Sequence, residues 1–143
     1  MRSLLPTALA VALSLLCSPG AVSCTVSTSG IAFGSYDPFL PQHVASVATI
    51  SVTCEEITSY SIALSSGGGT YEQRVMNNGL HQLLYNLYTD ATLNTVWGDG
   101  AGHSATVSDT QLTAMHTVYG LIPARQNAHV GDYSDTIVIT VTY

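Results

Sequence analysis

The chain has 143 residues, three Lys and Arg against nine Asp and Glu, and a formal charge of −6 at pH 7. An acidic chain without a single lysine lacks the electrostatic footprint for nucleic acid or anionic lipid. Its low charge and its wealth of Thr, Ser, Val, Ile and Tyr suggest β structure in an extracytoplasmic setting.

In chain order, Met1–Ser23 reads as a secretory signal. Arg2 supplies the positive start. Leu4–Leu16 is an apolar stretch interrupted only by Pro6, Thr7 and Ser14, and Ser18-Pro19-Gly20 breaks it. Ala21-Val22-Ser23 places small residues at the −3 and −1 positions, so cleavage is expected before Cys24 or just after Ala21. The apolar stretch is short for a membrane span, and nothing later resembles one. The remainder, residues 24–143, suits one domain with a single core.

Cys17 falls in the signal and leaves Cys24 and Cys54. In an oxidising compartment these two pair as one disulfide, which contributes roughly 3–4 kcal/mol in the chain-entropy model. A rival reading makes Ala-Val-Ser-Cys a weak lipobox with Cys24 lipidated, which strands Cys54 as a free thiol. One sulfur cannot serve both.

Cys24–Val26 and Gly30–Phe33 read as a broken first strand. Tyr36-Asp37-Pro38 and Pro41 mark a loop. Along Val44–Cys54, Ala48, Ile50, Val52 and Cys54 face one way and Val47, Thr49, Ser51 and Thr53 the other, and Glu55-Glu56 is expected to end the strand. Tyr60, Ile62 and Leu64 alternate with Ser61 and Ala63, and a triple-glycine loop follows.

Leu80–Tyr88 fits helical spacing through Leu80, Leu83, Leu84 and Leu87. The preceding Asn77-Asn78-Gly79 turn and the tyrosines favour a strand. Thr95–Trp97 is a short strand and Thr113–Ile122 a longer one. Pro123 to Gly131 is a connection, and the last strand runs from Tyr133 or Ser134 to Tyr143. About seven short alternating strands separated by turn signals point to an all-β sandwich.

Little in the chain carries chemistry. The histidines, His43, His81, His103, His116 and His129, are scattered without metal-ligand spacing. Trp97-Gly98-Asp99-Gly100 resembles a calcium loop but lacks its further carboxylates. No nucleophile elbow or phosphate loop occurs. Asp132 and Asp135 flank Tyr133, where a turn or tyrosine-corner role outweighs acid–base work. No catalytic residue, metal or cofactor is assigned.

Several segments together resemble one family. Cys24-Thr25-Val26 and Gly30-Ile31-Ala32-Phe33-Gly34-Ser35-Tyr36-Asp37-Pro38 resemble the opening of spore coat protein U domains, which include archaic chaperone–usher pilins of the Csu type. Ile50–Cys54 is similar to that family's second-cysteine strand, Tyr60–Leu64 to its next strand, and Arg74-Val75-Met76 to its Arg-x-Met element. Leu84–Asp90, Val96–Gly100, Tyr119–Pro123 and Gly131–Asp135 continue the likeness in order. By analogy it also settles Leu80–Tyr88 as a strand.

The resemblance implies an incomplete immunoglobulin-like sandwich that lacks its last strand, G. A groove between the first and last strands is filled first by a periplasmic chaperone and then by a neighbouring subunit's strand, with assembly at an outer-membrane usher. The residues themselves agree. Ile137, Ile139, Val141 and Tyr143 alternate with Val138, Thr140 and Thr142, without the Lys, Pro or bulge that protects a free edge. The expected acceptor residues are these four with Val26, Ile31 and Phe33.

Pilins of this kind carry a donor extension ahead of the first cysteine, whereas Cys24 here follows the signal directly. The expected role is therefore a strand-accepting structural subunit of the pilus, tip-proximal or chain-terminating, exported to the periplasm and then the cell surface. The alternative is a secreted coat or carbohydrate-binding module of the same fold, with Tyr71, Tyr88 or Trp97 stacking on sugars.

Overall fold

Alternation of apolar and polar residues decides which side of each strand is buried. The computed structural model describes residues 21–143. The rest of the expected signal, with Cys17, lies outside the described residues. The strands are β1 (Cys24–Thr28), β2 (Val44–Leu64), β3 (Arg74–Asn78), β4 (His81–Tyr88), β5 (Val96–Trp97), β6 (Ser104–Ala105), β7 (Val107–Ile122) and β8 (Ile139–Thr142). No helix occurs among the described residues.

β2 is the spine. Ala48, Ile50, Val52 and Cys54, and then Tyr60, Ile62 and Leu64, are buried in the core. The alternation therefore reads correctly on both halves, but the halves form one strand of 21 residues. Glu55 and Glu56 do not end it. They sit exposed where the pairing with β7 shifts register between Thr53 and Thr58. Such an irregularity bends the strand while keeping both carboxylates in water.

β7 pairs antiparallel with β2 on both sides of that irregularity. It begins at Val107, earlier than the expected Thr113, because Asp109 and Thr110 pair with Tyr60 and Ser59. β4 joins the other edge of β7 through Asn86–Tyr88, and β3 forms a hairpin with β4. Leu80–Tyr88 is thus a strand from His81, with Leu83, Tyr85 and Leu87 buried and Leu80 left at the turn.

The second edge of β2 is shared. β1 lies along Ile50–Cys54 and β8 along Ser61–Leu64, both antiparallel to β2. They meet end to end where the Cys24 N–H donates to the Tyr143 hydroxyl at 3.2 Å. Cys24 and Cys54 are directly opposed in the β1–β2 register and form the disulfide.

Two expected strands are shorter than their sequence suggests. Gly30–Phe33 forms no regular strand: Gly30 and Gly34 hold φ of +70° and +77°, and these left-handed residues break the ladder. The segment stays beside β2 through side chains, with the Ser46 hydroxyl donating to Ala32 C=O at 2.7 Å. The last strand pairs regularly only from Ile139. Before it, Ser134 exchanges two backbone hydrogen bonds with Asn77, and Val138 is tied to Ser65.

One buried residue stood out only as part of the family pattern. Arg74 is fully buried. Its guanidinium donates to Ser65 C=O, Asn86 Oδ1 and Trp97 C=O at 2.7–3.1 Å. Neutral oxygens from three separate segments, with no carboxylate among these hydrogen-bond partners, satisfy the planar fork.

Candidate functional site

A cavity of about 1290 Å³ opens between two irregular walls. One wall is the segment from Ile31 to Phe39. The other is the run from Arg125 to Asp135, with Ile137. Between them the cavity reaches core side chains: Met76 from β3, Leu83, Tyr85 and Leu87 from β4, and Ile122 from β7.

The first wall leans inward because β7 makes room for it. A side chain at Gly120 would bring a Cβ within 2.6 Å of Ile31 Cδ1 and 2.7 Å of Phe33 Cζ. Both apolar groups therefore lie over bare backbone. Phe33 then meets Tyr85 edge to face, with ring centroids 6.0 Å apart.

The second wall is pinned by polar contacts. The Tyr133 hydroxyl donates to His129 C=O at 2.8 Å, the pattern of a tyrosine corner. Asp135 accepts from the Tyr85 hydroxyl at 2.6 Å and from Gly68 N–H at 2.9 Å. Burial pushes the Tyr85 hydroxyl far above the usual phenol range, and its bond to Asp135 pushes the same way. Tyr85 thus remains a neutral donor across the pH range in which proteins fold.

A clasp joins the two walls to the floor. The Tyr36 hydroxyl donates to Pro123 C=O at 2.9 Å and accepts from Gln126 N–H at 2.8 Å. The Gln126 amide turns back to β4, accepting from Leu84 N–H and donating to Leu84 C=O, both at 2.7 Å. Local sequence explains this. Pro123 has no N–H to continue the β7–β4 ladder, so a side-chain amide replaces the missing peptide.

Of the seven expected acceptor residues, Ile31, Phe33 and Ile137 line the cavity. Val26 lies on β1 opposite Val52, outside it. Ile139 and Val141 pack against the core beside Leu64 and Ile62, and Tyr143 reaches Cys24. Sequence reasoning did not pick out the clasp residues Tyr36 and Gln126, because turn-rich composition conceals what a loop's side chains touch. The floor residues Tyr85 and Ile122 were legible only as core.

Apart from this cavity, the candidate chemical residues have structural partners. Trp97 is fully buried, with its indole N–H donating to Ile62 C=O at 3.0 Å, so it cannot stack on a sugar. The Tyr71 ring lies against Gly98 and Gly102, with Arg74 5.6 Å from its centre. His81 stacks on His129, His116 meets the Tyr60 hydroxyl, and His43 accepts from Ala124 N–H. Among the described residues no group of three or more His, Cys, Asp or Glu is placed to hold a metal.

Among the described residues, β8 pairs with β2 on one side and with no strand on the other. Val138 is tied to Ser65. Alternation therefore turns the backbone groups of Ile137, Ile139 and Val141 toward the unpaired edge. With the disulfide and the open cavity, this defines an incomplete immunoglobulin-like sandwich lacking its last strand. The chain belongs to the Spore Coat Protein U domain family, whose model matches residues 11–140.

Protein U of Myxococcus xanthus is 32% identical over 125 residues, covering 78% of this chain and 70% of that protein. The fold is similar to that of a chain in the CsuC–CsuE chaperone–tip adhesion subunit pre-assembly complex, from the archaic chaperone-usher Csu pili of Acinetobacter baumannii. That superposition has a TM-score of 0.63 at 21% identity and covers 86% of this chain but only 40% of the other. The E. coli Hda pilus minor tip subunit, HdaB, overlays more loosely, with a TM-score of 0.42 at 15% identity over 82% and 79% of the two chains.

Proposed function

We propose that this chain is a strand-accepting structural subunit of a chaperone–usher pilus. Its leader sends it to the periplasm, a periplasmic chaperone holds it there, and an outer-membrane usher assembles it onto a neighbouring subunit that donates a strand. The role is structural and assigns no catalysis or cofactor. One observation carries the proposal: the segment leading into β8, through Ile137, lines a cavity that reaches the core and runs on into the unpaired edge of β8. Strand addition serves both needs at once, giving backbone partners to the edge and apolar side chains to the cavity.

The test compares the domain beginning at Cys24 alone, with a candidate chaperone, and with an alternating apolar peptide. At a peptide concentration of about 100 times its Kd, binding adds about 2.7 kcal/mol, a rise in melting temperature on the order of 10 °C. The lone domain is expected to aggregate or melt early. A monomer equally soluble and stable with and without peptide and chaperone would overturn the reading. Tip-proximal or chain-terminating placement is decided by immunogold labelling, since label along the shafts would rule it out.

The similarity to Protein U favours a second reading, a secreted coat component of the same fold. It predicts a stable lone domain that fractionates with a surface layer instead of fibres.

A further inference from the structure

The second wall of the cavity is anchored at both ends. At its start Gln126 is bonded to Leu84, and at its close Ser134 exchanges two backbone hydrogen bonds with Asn77. Between those anchors residues 127–132 form no regular strand, and they rest on the β3–β4 turn. The Asn78 amide lies over Gly131, where an added side chain would collide with it. The His129 ring stacks on His81, with centroids 3.8 Å apart and planes inclined by 19°. This same run lines the cavity and continues into Tyr133–Ile137, the lead-in to the open edge of β8.

Of the two contacts with the turn, only the stack responds to pH. Histidine is the side chain that gains a charge between about pH 8 and pH 5. One imidazolium still sits well against a neutral ring, but a second proton sets two like charges ~4 Å apart and makes the contact repulsive. The turn and the start of β4 bring no acid to the pair, since Asn77, Asn78, Leu80 and Gln82 are neutral. The second wall brings Arg125, Asp132 and Asp135, and the first wall brings Asp37 across the cavity. Arg125 adds to the repulsion. Asp135 is held by Tyr85 and Gly68, and Asp37 by Phe39 N–H, which leaves Asp132 to draw a freed imidazolium away. The phenols of Tyr36, Tyr85 and Tyr133 are engaged as hydrogen-bond donors.

We infer that the His81–His129 stack is a proton-operated latch that holds the second wall in place for an incoming strand near neutral pH and releases it in acid. This deepens the strand-accepting proposal and rests on it. The released form binds more protons than the latched one, so falling pH favours release. Release leaves the floor and the paired edge of β8 where they are. What is lost is the fixed position of residues 127–132, which the strand must then order as it binds, at a cost in affinity.

The experiment uses a short peptide of alternating Val and Thr, capped at both ends so that it carries no titratable group. Its affinity is measured by calorimetry at about pH 8 and about pH 5 for the wild type, for His81→Phe and for His81→Ala. Phenylalanine keeps a flat ring against His129 and takes up no proton, while alanine removes the stack. The wild type should bind about fivefold more weakly at the lower pH, the factor that like charges ~4 Å apart in water contribute. His81→Phe should hold its affinity at both values, and His81→Ala should bind weakly at both.

In the free subunit, amide-exchange protection across residues 127–132 should fall at the lower pH in the wild type and not in His81→Phe. An equal loss of affinity in the wild type and His81→Phe, or no loss in the wild type, overturns the latch while leaving strand acceptance intact. Failure of the peptide to bind the wild type at either pH overturns strand acceptance itself. Protection of residues 127–132 then decides the latch alone, and protection that does not change with pH overturns it.

Discussion

At the scale of single residues, Arg74 and Gly120 carry the sharpest constraints. Arg74 gathers Ser65, Asn86 and Trp97 around one buried cation, and burial draws its guanidinium below the ordinary range without discharging it. Lysine carries the charge but not the planar fork, so Arg74→Lys leaves carbonyls unpartnered in the core. The expected loss is about 2–4 kcal/mol, read from the urea midpoint; a loss below half a kcal/mol would show that the fork is dispensable. Gly120→Val tests the other constraint. Its side chain would collide with Ile31 and Phe33 and expel the first wall, at a cost of about 1–3 kcal/mol. Near-ultraviolet circular dichroism should show Tyr85 losing its packing against Phe33.

At the scale of elements, the contrast lies between pattern and attachment. Period-two alternation made the core-facing sides of β2, of β8 and of the lead-in to β8 legible, because Ile50 and Ile62 in the first and Ile137 and Ile139 in the others repeat on one side. It could not tell that Glu55 and Glu56 ride on a continuing strand, since two exposed charges look the same at a bulge and at an end. Nor could it show that Asp135 is drawn to Gly68 and Tyr85, which keeps the lead-in to β8 irregular. The first wall failed as a strand for a similar reason: Gly30 and Gly34 outweigh the apolar alternation around Ile31 and Phe33.

The open edge of β8 gives an element-scale prediction. Val138 is 60% exposed, on the side away from the core. Val138→Lys should suppress aggregation of the lone domain, by light scattering, without changing its response to peptide. Ile137→Ala should instead weaken peptide binding, by about tenfold, with a smaller effect on stability. Equal effects of the two substitutions on peptide binding would argue that the wall residue Ile137 has no special part.

At the scale of the whole molecule, the disulfide closes a loop across a sequence separation of 30 residues. Replacing both cysteines by serine should cost about 3–4 kcal/mol, measured by thermal unfolding with and without reductant. The pairing itself was legible from compartment and cysteine count, while the lipobox alternative was not removed by the sequence alone. The tandem placement of β1 and β8 on one edge of β2 was not legible, because it depends on β7 filling the opposite edge along both halves of β2.

That covalent loop also determines how the molecule would carry load. Tension applied at Cys24 crosses the sulfur bridge to Cys54 and enters the middle of β2 directly. β1 is bypassed, and so is everything strung between the two cysteines. Ile31, Phe33 and Tyr36 all lie within that slack circuit. A pull on this side of the molecule therefore leaves the first wall of the cavity unstressed, and its grip on an inserted strand need not loosen when the chain is stretched.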